Sequence, residues 1–319
     1  MRKLLGTVLI VLGCWASVPA QVTKHTTDLV PTGKGWGVQR RVAPVGQAPS
    51  KAASASVNGI IYHGGPVMRA NKVNVYFIWY GNWTNGPKAS DRQITVNLLD
   101  ILFGPTRGIG SSGFFKINST YNDTVGHPTG NIALAASATN HYSAGKQLTD
   151  ANVEGIVSSA IASHSLPSDS NGLYFVLTSS DVNETSGFCT KYCGWHSRAT
   201  IGGSDIKYAF VGNTDRCSSA CEMQTVSPNR DSGADGMASI MAHEAQESVS
   251  DPDLNAWYDA TGNENGDKCA WKFGPTSGVM GAGAYNQTFG TYNWLIQMNW
   301  ENSRGGGCDK TLGGRFYTQ

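Results

Sequence analysis

Charge is scarce in this chain. Charged residues make up 15% of its 319 positions, and 24 basic residues almost cancel 23 acidic ones, leaving a net charge of +1. Soluble domains usually carry about 25%. With no basic block to neutralise phosphates, nucleic acid is excluded as the main partner. The chain also lacks a G-x-S-x-G elbow and a phosphate-cradling glycine loop, so the common serine-hydrolase and nucleotide-binding signatures are absent. Long apolar runs are missing as well. The run over residues 4–15 is too short to span a bilayer permanently, and no later segment is apolar enough to do so.

That early run has a different use. Arg2 and Lys3 precede it, and the small residues Val18 and Ala20 follow it, the pattern of a secretory signal cleaved after Ala20. Residues 1–20 are therefore expected to be a signal peptide and the mature chain to be secreted. Val11-Leu-Gly-Cys14 resembles a loose lipobox, so a periplasmic or Cys14-anchored protein is the alternative. Residues 21–58 are rich in Gly, Pro, Ala and Ser without periodicity and read as a flexible leader. Residues 59–319 read as a single globular domain.

Seven cysteines less Cys14 leave six, an even number suited to an oxidising compartment. Nearest-neighbour pairing, Cys189–Cys193, Cys217–Cys221 and Cys269–Cys308, is the preferred arrangement. A zinc site built from the first four is a weaker rival, because C-x3-C suits zinc less well than C-x2-C.

Residues 73–79, 173–178 and 206–212 are β-branched and aromatic, as buried strands are. Apolar residues at helical spacing predict helices over 90–103 with Ser90 as N-cap, over 150–163 capped by Thr149 or Asp150, and over 236–250 capped by Asp235. Asp251-Pro252 stops the last one. Residues 253–319, rich in Gly, Trp and Asn, predict loops and short elements. The alternation predicts an α/β or α+β fold, a twisted mixed sheet with packed helices and disulfide-bonded loops.

The chemistry concentrates in His243-Glu-Ala-Gln-Glu247. On a helix, His243 and Glu247 share a face, as the two helical ligands of zinc peptidases do, and Glu244 stands where those enzymes carry their general base. The pattern is H-E-x-x-E rather than H-E-x-x-H, and a carboxylate also ligates zinc. A zincin-like centre then needs a third ligand. Asp253, ten residues after His243, and Asp251, which continues the i, i+4, i+8 face, are the candidates; Asp259 and Asp267 are more distant ones. His196, after Cys193, is a further catalytic candidate. The aromatic residues between 257 and 300 suit a core better than a sugar platform. The residues thus predict a secreted zinc-dependent hydrolase of the metallopeptidase type acting on peptide or protein. The alternative is a non-catalytic extracellular protein that binds cell-wall polysaccharide or a protein partner.

Five segments together carry a family resemblance: 75–81 (VYFIWYG), 172–182 (GLYFVLTSSDV), 188–196 (FCTKYCGWH), 208–213 (YAFVGN) and 235–237 (DGM). They resemble the EXORDIUM / phosphate-induced protein family of plant cell-wall proteins over residues 60 to 290. The resemblance implies secretion and implies no established enzymatic activity. Plant members carry apolar and small residues in place of His243-Glu244-x-x-Glu247, which points this chain to a microbial branch with a zinc-peptidase-like site.

Overall fold

The computed structural model describes residues 30–34, 59–278, 281–314 and 316. The expected signal peptide and Cys14 lie outside the described residues, as does most of the expected leader.

Five strands form the central sheet: β1 (Val73–Tyr80), β2 (Ile132–Asn140), β3 (Gly172–Thr178), β4 (Gly194–Ile201) and β5 (Ser204–Gly212). Their order is β2-β1-β3-β5-β4. The first four in that order run parallel, and β4 pairs antiparallel with β5. The sheet is therefore mixed, as the composition of the strands predicted. β3 is apolar along almost its whole length and buried throughout, the mark of a strand covered on both faces. Phe77, Phe103 and Phe175 meet edge to face or tilted, with ring centroids 5.7–6.0 Å apart, at the centre of the core.

Two strands escaped the sequence reading, β2 and β4. Both are edge strands, and along their second halves half-buried and exposed positions alternate. That period of two is the available signal, but Ala and Ser carry it in β2, so its hydrophobic contrast is faint. The β4–β5 turn is Gly202-Gly203, with φ of 58° and 83°. A two-residue hairpin loop that needs φ > 0 at both positions explains why glycine occupies them.

Three helices pack on this sheet: α1 (Gln93–Leu102), α2 (Asp150–Ala162) and α3 (Ser232–Ser250). α2 is capped as predicted: the Thr149 side chain accepts from the Asn152 N–H, and Asn152 accepts in return from the Thr149 N–H. The other two predicted caps are corrected. Ser90 lies two residues before the N-cap position, Arg92, and its Oγ instead contacts Asp215 at 2.7 Å and Asn213 at 2.9 Å. α3 starts one turn earlier than predicted, with Asp231 Oδ1 accepting from the Ala234 N–H at 2.9 Å. Asp235 sits inside the first turn, where a carboxylate still suits the helix dipole.

Asp235 is buried, and burial pushes its carboxyl up to about 7 against the hydrogen bonds from Ser227 and Asn229. A carboxyl raised in the folded state contributes stability below its unfolded value near 4, and that contribution is lost as pH rises through about 7. Asp235→Asn should therefore gain on the wild type by on the order of 2–4 kcal/mol between pH 4 and pH 8. Urea unfolding at several pH values reads that difference directly. A pH-independent offset would mean that folding leaves this carboxyl's pKa unshifted.

The disulfides are Cys189–Cys217, Cys193–Cys221 and Cys269–Cys308. The third is as predicted. The first two correct the nearest-neighbour pairing and leave no thiols for the rival four-cysteine zinc site. The loop before β4 and the short helix Ser218–Cys221 run side by side, which sets each cysteine opposite one 28 residues away. The expected tail of short elements is present, with two-stranded pairings such as Gln287–Phe289 with Tyr292–Trp294.

Residues 30–34 lie against the domain, so the expected flexible leader does not extend to them. The His196 N–H donates to Gly33 O at 3.0 Å, and Lys34 Nζ pairs with Asp150 at 2.6 Å. The same ammonium stands over the rings of Tyr192 and Trp195 at 5.2 Å.

Candidate metal centre

α3 is buried along almost its entire length. Small residues make that possible: Gly236, Ala238, Ala242 and Ala245 bring its backbone close to its neighbours. A Cβ on Gly236 would come within 2.4 Å of Thr214 Oγ1. The helix therefore carries His243, Glu244 and Glu247 into the interior, where three polar side chains need partners.

The partners come from two other places. β4 brings His196, and the loop after Asp259 brings Glu264 and Asp267. His243 Nε2 lies 3.1 Å from Glu247 Oε1 and 3.5 Å from Asp267 Oδ1. His196 Nε2 lies 3.2 Å from both oxygens of Glu264 and 3.7 Å from Glu247 Oε2. Ligand atoms of His243, Glu247 and Asp267 fall within 4.8 Å of one another, and so do those of His196, Glu244 and Glu247. Glu247 belongs to both sets, with one oxygen toward each histidine.

Two glycines make room for these groups. A Cβ on Gly266 would sit 2.7 Å from His243 Nδ1 and 2.9 Å from Glu247 Oε1, and one on Gly194 would sit 3.0 Å from Glu244 Oε1. The loop is fastened by the Asp267 N–H donating to Glu247 Oε1 at 3.0 Å and by the Cys269–Cys308 bridge. Gln297 locks the back of the site. Its Nε2 donates to Gly266 O at 2.7 Å and faces His243 Nδ1 at 2.9 Å, while its oxygen accepts from the Trp271 N–H.

Burial dominates the electrostatics. It holds His243 down to about 4 and His196 down to about 3, so both rings are neutral. It pushes Asp267 up to about 8, with the Glu247 charge adding to the rise, and drives Glu244 and Glu264 well above the carboxylate range. Among the described residues, no Lys or Arg forms an ion pair with Glu244, Glu247, Glu264 or Asp267. Four carboxyls in one dry pocket cannot all ionise unless something positive joins them.

Neither predicted third ligand belongs to either ligand set, although buried Asp251 lies close enough for its charge to push the Glu264 carboxyl up. Asp251 Oδ1 accepts from the N–H groups of Asn255 and Ala256 at 2.7 and 2.6 Å and so shapes the turn after the helix. Asp253 pairs with Arg198 and Lys207 at 3.7 and 3.6 Å. Asp259 closes a turn and pairs with Lys268 at 3.0 Å. Asp267, the most distant of the candidates, is the one brought beside His243 and Glu247. Glu264 was missed, because a lone Glu in a polar loop, 20 residues after Glu244, carries no periodicity. An open cavity of about 620 Å³ lies elsewhere, lined by Lys88, Ser180, Asp181, Phe188 and Arg216 and by none of the cluster residues.

The phosphate-induced protein 1 conserved region matches residues 60–295. The chain belongs to the phosphate-induced protein 1 family. EXORDIUM-like 3 of Arabidopsis thaliana is 32% identical over 78% of this chain and 82% of its own length. EXORDIUM-like 5 of the same plant is 32% identical over 70% and 68%. PHOSPHATE-INDUCED 1 of Nicotiana tabacum is 27% identical over 62% and 66%. No solved structure matches the chain significantly. The three disulfides and these relatives fit an extracellular protein. Among the described residues no helix is long and apolar enough to cross a membrane.

Proposed function

We propose that this chain is an extracellular metal-dependent hydrolase, with a zinc ion held by His243, Glu247 and Asp267 and with Glu244 as the proton carrier. One observation supports the reading above the others. Both oxygens of Glu244, a side chain 1% exposed, lack a hydrogen-bond partner among the described residues. A buried carboxylate left in that state is costly, and a neighbouring cation removes the cost. One neutral imidazole and two carboxylates form a donor set that zinc accepts with a position left open. An ion there supplies a Lewis acid and lowers the pKa of a water.

The remaining work belongs to the protein. Glu247 fixes the loop through the Asp267 N–H as well as offering an oxygen to the site. His243 serves through Nε2 only with its proton on Nδ1. Gln297 then turns its amide to present oxygen to that proton, at the expense of the Gly266 and Trp271 contacts. Glu244 takes a proton and returns it to a leaving amine, which makes a peptide or protein the substrate class. This is the zincin-like arrangement expected for the H-E-x-x-E helix, with Asp267 as third ligand in place of Asp251 or Asp253. The export signal read at residues 1–20 supports the extracellular setting, and the H-E-x-x-E site supports the microbial branch.

A second reading has its own support. Five of the six cluster residues are buried and Asp267 is half-buried, with its side chain 7% exposed. Gly33 lies against the His196 backbone. An ion so nearly enclosed suits a structural role in a non-catalytic protein that binds wall polysaccharide or a protein partner.

Glu244→Gln separates the two. As proton carrier, its loss should lower peptide hydrolysis by about 10²–10⁴-fold while the ion at His243, Glu247 and Asp267 stays bound. Zinc retention in a wild-type protein that cleaves nothing in a broad peptide library would leave the structural reading standing and end the catalytic one.

A further inference from the structure

We infer that the cluster holds a second divalent cation, between His196, Glu244 and Glu247, so that Glu247 bridges two ions; this rests on the metal reading above and extends it. Two observations carry it. The first is the split of Glu247. Its Oε1 is 3.1 Å from His243 Nε2, and its Oε2 is 3.7 Å from His196 Nε2, so its two oxygens serve two different sites.

The second is what a single ion at His243 does not ligate. Among the described residues, Glu244 Oε1 and Oε2 and Glu247 Oε2 are buried without hydrogen-bond partners, and all three belong to the His196 side. Neighbouring Glu264 faces His196 with both oxygens and completes the acidic wall.

The donor chemistry names the class of ion. Each position offers one imidazole nitrogen and two carboxylates, a set suited to zinc, manganese(II) or iron(II) rather than to the all-oxygen preference of calcium. Paired ions of this kind clamp the attacking and leaving atoms of a hydrolysed bond. With the second ion bound Glu244 serves as its ligand; with the first ion alone it keeps the proton-carrying role.

Manganese(II) is the probe. The chelator-stripped mature protein is titrated with manganese alone, followed by metal analysis and electron paramagnetic resonance. The inference expects two equivalents and an exchange-coupled spectrum, with Glu244→Gln and His196→Gln each reduced to one equivalent and an uncoupled six-line signal. One equivalent in the wild type, unchanged in either variant, overturns the second site and leaves the first intact. Fewer than one equivalent overturns both this inference and the metal reading beneath it. Should a variant fail to fold by circular dichroism, the wild-type stoichiometry and spectrum decide the matter.

Discussion

Glu247→Ala should abolish specific zinc binding altogether, a larger effect than replacing any other cluster residue. Glu247 is the residue common to both ligand sets, and it also accepts the Asp267 N–H that fixes the loop. Changes merely adjacent to metal ligands already cost about 10–100-fold in affinity, and loss of a shared ligand should exceed that. Stability should respond in an unusual way. Without metal, the variant loses a hydrogen-bond acceptor, worth about 1–3 kcal/mol when its donor is left unpaired in the interior. It also loses one of four crowded carboxyls, which offsets part of that cost. With zinc present, only the wild type is stabilised, by about 2.7 kcal/mol at one hundred times the dissociation constant. Isothermal titration and thermal unfolding on both proteins check this. Equal zinc affinity in the two would remove Glu247 from the site.

The second large effect concerns the paired disulfides. Cys189–Cys217 and Cys193–Cys221 close almost the same loop, each spanning 28 residues. Chain-entropy reasoning gives about 3–4 kcal/mol for closing a loop of that size once. When one bridge is present, the other closes only a ring made of the two four-residue segments on either side, so it adds less. Replacing one bridge by an alanine pair should therefore cost about 2.5 kcal/mol and replacing both about 6 kcal/mol, more than the sum of the two single losses. The nearest-neighbour pairing would give two independent losses of about 2 kcal/mol each, adding to about 4 kcal/mol. Chemical denaturation of the two double and one quadruple variants distinguishes them.

The contrast between these two sites shows what the sequence could and could not disclose. His243 and Glu247 were legible because a helix places i and i+4 on one face, a relation fixed by backbone geometry. The buried strands β1, β3 and β5 were legible because their apolar runs have few alternatives. The cysteine partners were not, because pairing depends on how two segments 28 residues apart lie beside each other in space. The same limit hid the ligands outside the helix. Asp251 continues the i, i+4, i+8 face and Asp253 has the ten-residue offset from His243, yet the turn at Pro252 sends them to hydrogen bonds and to Arg198 and Lys207. The loop returns fourteen residues later than Asp253, at Asp267. His196 was noticed for its place after Cys193, but only the position of β4 against α3 makes it a neighbour of Glu247. Glu264 had no signal at all in the sequence.

Zinc titration of the chelator-stripped mature protein, followed by its unfolding temperature, tests the central claim most directly. A metal centre at His243, Glu247 and Asp267 predicts a saturable rise of several degrees, since about 1 kcal/mol shifts the midpoint by about 2–4 °C in domains of this size. EDTA should reverse the rise, and Glu247→Ala should not show it. An unfolding temperature indifferent to zinc and to EDTA, in a protein that purifies with far less than one equivalent of any divalent metal, would contradict the account.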